Sequence, residues 1–309
     1  MKSLLWMLGK ILIFHVIMIV SELPFIPLHL LIFILLTHIC GFPQELLLEE
    51  WKLRADKSAP WTVAGAVILA SWIMARFFDK RPLASLGLKL HQSWWKELMW
   101  GISLGTGLVV FLVIGLLALR LLPLDVFLQG IFSEHRLEQE RGRIEVALCL
   151  ALPFNAGVVV FEEVGARGYI FQTLIRGIGL APAILLTSLL FAIGHKPYPW
   201  APLYAGLGGL LMALAIWKTK SLWCSIGIHF AFNYLHYLLR LQYLGWQSTI
   251  ILAIGVGLVI VVIMKFFRPD SQMEALWRQY VPVAQPWAQL KSWWARRKQA
   301  PQDQTPPTH

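Results

Sequence analysis

The chain has 309 residues, 57% of them hydrophobic and 14% charged, with a mean hydropathy of +0.62. A soluble domain carries about 25% charged residues, so this composition excludes an ordinary soluble fold and points to an all-α, polytopic transmembrane helix bundle. The net charge of +10 does not signify nucleic-acid binding: much of the excess sits at Lys265, Arg268, Arg278, Lys291, Arg296, Arg297 and Lys298, interleaved with Trp277, Trp287, Trp293 and Trp294, and rings beside cations mark a membrane interface.

A helix needs roughly 20 mostly apolar residues to cross the hydrocarbon core. Segments of that character lie near 4–20, 25–47, 60–78, 98–119, 145–163, 180–195, 200–217, 222–239 and 247–265. The first two are joined by a short Pro-containing turn and form an N-terminal transmembrane hairpin over 1–58. Met1 to Val20 lacks a small-residue cleavage site before Ser21, which predicts a retained span rather than a signal peptide. Only Lys196 to Pro199 separates two short segments, so the expected count is seven to nine helices. The core extends over 59–266. Residues 267–309 form a basic, Trp-rich tail, expected to be partly disordered with an interfacial helical piece. Basic residues at 80–96, at Lys218 and Lys220, and in the tail fall on one side when the spans alternate. That side is expected to be cytoplasmic, with anionic lipid a partner of the tail. Residues 120–143 form the longest polar connection, read as a surface helix or loop. Gly101 with Gly105, and Gly206 with Gly209, are read as close-packing positions. Cys40, Cys149 and Cys224 follow no disulfide or catalytic spacing and are read as small buried hydrophobes.

The informative residues are polar ones in apolar helices, where an ionised side chain costs roughly 2.5–3.5 kcal/mol at the bilayer centre. Val158 to Phe161 runs into Glu162 and Glu163, followed by Arg167. Glu163 and Arg167 are four apart and can pair on one helical face. Glu162 is turned about 100° away and left to point elsewhere. A solvated helix end at the interface would explain the same residues. His195 closes an apolar helix, and His229 and Asn233 share a face, with His236 and Arg240 continuing the stripe. Together these groups suit peptide hydrolysis. Glu162 can take a proton from water with His195 helping to hold it, and His229 and Asn233 can donate to an oxyanion. No serine triad is present.

Glu162-Glu163-x-x-x-Arg167, Phe191-x-x-x-His195 and His229-x-x-x-Asn233, in this order, resemble the three-motif signature of the prenyl-protein (CAAX) endoprotease and bacteriocin-processing superfamily of intramembrane proteases. Arg81-Pro82-Leu83-Ala84-Ser85-Leu86-Gly87-Leu88-Lys89 is similar to a cytoplasmic segment of that family, and the likeness covers roughly 80–240. It implies that 59–266 is an intramembrane protease core with motifs at 162–167, 191–195 and 229–233. Glu162 is then the base, assisted by His195. His229 and Asn233 form the oxyanion site, and Glu163 with Arg167 gives support. The implied activity is glutamate-dependent cleavage of a membrane-associated peptide or protein, often near its C-terminus, in a bacterial plasma membrane.

Three readings compete. The peptidase rests on the motifs, a non-catalytic immunity or maturation-scaffold protein would keep the same fold, and a transporter would use Glu162, Glu163, His195 and His229 as a proton relay. Glu162, His195 and His229 can in principle ligate a divalent metal, but the His-Glu-x-x-His helix of zincins is absent; the expectation is catalysis without a metal or other cofactor. Neither the substrate nor the oligomeric state is legible in the sequence.

Overall fold

The computed structural model describes residues 2–22, 60–132, 152–195, 200–239, 241 and 245–283. Every regular element among them is helical: α1 (Lys2–Glu22), α2 (Pro60–Ile73), α3 (Trp94–Ala118), α4 (Leu124–Phe132), α5 (Leu152–Glu162), α6 (Phe171–Ile178), α7 (Leu180–Gly194), α8 (Ala201–Thr219), α9 (Leu222–Leu238), α10 (Trp246–Phe266) and α11 (Ser271–Tyr280). Two π-helical stretches, Met74–Phe78 and Glu163–Ile170, continue α2 and join α5 to α6. The chain is therefore all-α, as its composition implies.

Four helices are long and apolar enough to cross a membrane, at Leu4–Ser21, Trp94–Ala118, Ala201–Thr219 and Trp246–Phe266, and Val63–Phe78 and Leu180–Gly194 are shorter apolar ones. The expected span 25–47 and the start of 145–163 lie outside the described residues, as do Cys40, Cys149 and residues 133–143 of the polar connection. Helix α10 shows why these helices belong in lipid. It buries Ile251, Leu252, Val256 and Ile263 on one face, while Ile250, Ile254, Leu258 and Val261 on the other are 49–60% exposed. Apolar on both faces, it has no side suited to water.

The closest packing joins α3 to α9. A Cβ on Gly105 would lie 2.4 Å from the Ile228 carbonyl oxygen, and one on Gly227 would lie 2.4 Å from that of Leu98. The two backbones thus touch with no side chain between them, the small-residue mode of helix association in lipid. Gly101 and Gly105 pack as expected, and Gly209 similarly approaches Ser188 of α7. This interlock fixes the height and rotation of α9, which carries His229.

The three basic stretches meet at one end of the bundle. Gly87, at φ 100° in the region that favours glycine, turns its carbonyl to accept from the Leu222 amide at 3.0 Å. The Trp223 indole donates to the Lys89 carbonyl at 3.1 Å. Lys220 stands over the Trp277 ring at 4.9 Å. His91 lies between Glu97 at 3.3 Å and Asp270 at 3.5 Å. Further contacts dock the tail's first part. Asp270 caps α11 by accepting from the Gln272 amide at 2.9 Å, and Met273 and Trp277, four apart on one face, are buried in the core. Residues 271–280 form a helix docked on the bundle, with Trp217 and Lys220 against its apolar face. Residues 284–309, with Trp287, Lys291, Trp293, Trp294, Arg296, Arg297 and Lys298, lie outside the described residues.

Candidate active site

Helix α5 does not end at its carboxylates. It passes directly into the π-helical stretch Glu163–Ile170 and on into α6, so Glu162 and Glu163 lie within a continuous helical rod. The alternative of a solvated helix end is set aside by this continuity and by the complete burial of Glu163. A π-helical turn accommodates an extra residue, and such turns recur at functional sites. Here the wide turn still brings Arg167 back to Glu163, with Nη1 donating to Oε1 at 3.1 Å.

Glu163 is the centre of the network. Its Oε1 also accepts from His229 Nδ1 at 2.9 Å, and its Oε2 accepts from the Ser225 hydroxyl. Three donors thus surround a carboxylate in a site where an unpaired charge would be strongly destabilising. Arg167, itself fully buried, lays its guanidinium 4.1 Å from the centre of the Phe191 ring. Gly209 leaves room for it: a Cβ there would stand 3.3 Å from Arg167 Nη2.

His229 bridges the two acids. A carboxylate can only accept, so the Nδ1 proton points to Glu163 and Nε2 is directed toward Glu162, 3.5 Å from its Oε2. The acids differ in access: the Glu162 side chain is 18% exposed and that of Glu163 is 0% exposed. Glu162 is the partly exposed carboxylate, and Glu163 is the sealed one.

His195 sits at the C-terminus of α7, with Nδ1 2.7 Å from the Phe191 carbonyl oxygen. A carbonyl also only accepts, so neutral His195 carries its proton on Nδ1 and keeps the Nε2 lone pair. The Phe191 ring lies 4.5 Å from the His195 ring and meets the His229 ring edge-on at 5.8 Å. One phenyl ring therefore touches Arg167, His195 and His229.

The structure brings Glu162, Glu163, Arg167 and His229 into one connected group and links His195 to them through Phe191. Asn233, half-buried one turn beyond His229 on α9, takes no part in these contacts. His236 follows, packed by Phe232 and Tyr204; Arg240 lies outside the described residues. Sequence reasoning missed Ser225. Its signal was its place four residues before His229, the same stripe read one turn further back. The role of Phe191 as a shared ring surface was also not read. Among the described residues no three His, Cys, Asp or Glu groups converge as metal ligands. Glu162, His195 and His229 as placed do not converge as a three-ligand site.

Residues 144–235 match the family model described as Type II CAAX prenyl endopeptidase Rce1-like. No curated protein and no solved structure matches the chain. All six motif residues, Glu162, Glu163, Arg167, His195, His229 and Asn233, fall inside the matched stretch, as does Ser225.

Proposed function

We propose that this chain, which carries an Rce1-like domain of the CAAX protease superfamily at residues 144–235, is a glutamate-dependent intramembrane endopeptidase. The observation that carries the reading is His229 held between two unlike carboxylates, one sealed and one partly exposed. Glu162 takes a proton from water as the water oxygen attacks the substrate carbonyl carbon. His229, in its imidazolium form and anchored through Nδ1 by Glu163, donates through Nε2 to the oxyanion. Asn233 on the same helix adds a second donor once substrate is bound. The carboxylic acid of Glu162 then returns its proton to the leaving amine nitrogen as the C–N bond breaks. His195, with its free Nε2 lone pair, accepts from the attacking water and orients it.

Catalysis lies within the bundle: His229 is seven residues into α9, about 10 Å from the helix start. We read the protein as a multi-pass component of a bacterial plasma membrane with seven to nine spans and a cytoplasmic C-terminus. The basic residues gathered at one end support that orientation. Its substrate is a membrane-associated peptide or protein, cut near the C-terminus, and anionic lipid meets the basic tail.

The test compares membrane proteomes of cells carrying the wild type with cells carrying only Glu162→Gln at equal protein level. A shortened terminus that disappears in the variant is expected. A Glu162→Gln protein that rescues a deletion phenotype with every terminus unchanged would instead establish the immunity or scaffold reading.

A further inference from the structure

A second buried charge cluster lies where α1, the π-helical stretch Met74–Phe78 and α6 meet. It takes no part in the chemistry above. Lys80 holds a left-handed backbone at φ 53°, an uncommon conformation for a non-glycine residue and a pointer to function when the surroundings enforce it. The turn closes with the Asp79 amide on the Met74 carbonyl at 3.0 Å and the Arg81 amide on that of Ala75 at 2.8 Å. Asp79 and Arg81 are thereby folded into the same interior space.

There Asp79 Oδ1 accepts from Lys10 Nζ at 2.5 Å, and Oδ2 accepts from Arg176 Nη2 at 2.6 Å. Arg81 Nε stands 3.4 Å from Oδ2, while Arg81 Nη1 donates to Gln172 Oε1 at 2.7 Å. Gln172 is itself fixed by donating to the Leu86 carbonyl at 3.0 Å. Among the described residues, three cations share one carboxylate. Arg81 is 2% exposed, and its Nη2, like Arg176 Nε, has no hydrogen-bond acceptor there. Burial, and then repulsion from Arg176, pushes the Arg81 guanidinium down to about 10, which leaves it a cation at neutral pH.

A surplus of buried positive charge is costly until an anion meets it. The cluster has one open edge. Asp79 and Arg81 side chains are sealed at 0% exposure, whereas Lys10 is 13% and Arg176 is 20% exposed. Around it Arg76 and Lys80 are exposed, and so are the rings of Trp6, Phe77 and Phe78. Rings and cations together at the end of apolar helices lie at headgroup level. We propose that the Lys10–Arg176 edge binds the phosphate of an anionic phospholipid, with Arg81 supplying positive field from behind and the Trp6 and Phe77 rings meeting the acyl chains.

The full-length protein in nanodiscs of phosphatidylcholine alone, or with added phosphatidylglycerol, tests this independently of any peptidase activity. Phosphatidylglycerol is expected to raise the Tm of the wild type. Lys10→Gln and Arg176→Gln should each lose at least half of that gain. Arg120→Gln, which removes an equal charge at an exposed position, should keep it. Equal gains in all four proteins would overturn the site and leave only a general surface-charge effect. An equal gain from soluble inorganic phosphate in phosphatidylcholine would overturn the lipid as its source. Native mass spectrometry of the wild type needs no variant: preferential retention of phosphatidylglycerol is expected, and retention equal to that of phosphatidylcholine would refute the proposal.

Discussion

Two buried ionic clusters lie on one helical rod, around Glu163 and around Arg176, thirteen residues and about 20 Å apart. They are built on opposite plans. Around Glu163 an acid is met by Arg167, His229 and Ser225, with Glu162 standing beyond His229, so acids and cationic donors are matched. Around Asp79 three cations share one acid among the described residues. A matched network holds its members still, as the proposed reacting centre requires. An unbalanced one is an invitation to a ligand. On the proposed reading, the contrast separates the part of the protein that performs chemistry from the part that binds lipid.

Removing the central acid of the closed cluster should have the largest effect. Glu163→Ala leaves Arg167 buried beside nothing of opposite charge, and a stability loss of about 3–5 kcal/mol is expected from denaturant unfolding in detergent. Glu162→Gln, by contrast, should unfold within about 1 kcal/mol of the wild type while losing activity. If the two variants unfolded alike, the distinction between a sealed and a partly exposed carboxylate would collapse. Asp79→Asn tests the open cluster: it should be less stable than Lys10→Gln in neutral lipid, and anionic lipid should narrow that gap. Ser225→Ala removes one donor from a buried carboxylate and should lower stability by about 1.5–3 kcal/mol. It should slow cleavage with the helical circular dichroism unchanged. Gly227→Val forces side-chain atoms against the α3 backbone at Leu98 and Ile102; about 1–3 kcal/mol of overpacking is expected, read as a lower detergent Tm. Smallest is Arg278→Ala, which breaks an exposed pair with Glu274 and should shift stability by less than about 0.5 kcal/mol.

Much of this was legible in the chain because membrane burial makes polar residues conspicuous. Glu162, Glu163, Arg167, His195, His229 and Asn233 stand out against apolar neighbours, and so does the glycine spacing of α3. Other features carry no such contrast. Ser225 is an unremarkable residue in a small-residue-rich helix, and only its partner Glu163, 62 residues away, gives it meaning. Phe191 opens the second motif, but its shared ring face depends on three elements converging. The π-helical turn at Glu163–Ile170 leaves no trace in residue type. The docking of α11 is also invisible in the chain, because the partners of Met273 and Trp277 depend on Trp217 and Lys220 arriving from another helix.

The pairing of Lys10 with Asp79 also has a consequence for biosynthesis. Lys10 leaves the ribosome 69 residues before its carboxylate, and Arg176 follows Asp79 only after another 97. Chains are made from the N-terminus onward, so a nascent α1 enters the translocation machinery with an unneutralised ammonium in an apolar segment. Until the Asp79 turn is translated, that ammonium has lipid headgroups but no protein carboxylate to pair with. A chain stalled between residues 22 and 79 should hold α1 loosely, so that it stays extractable by alkaline carbonate until the Asp79 turn has emerged.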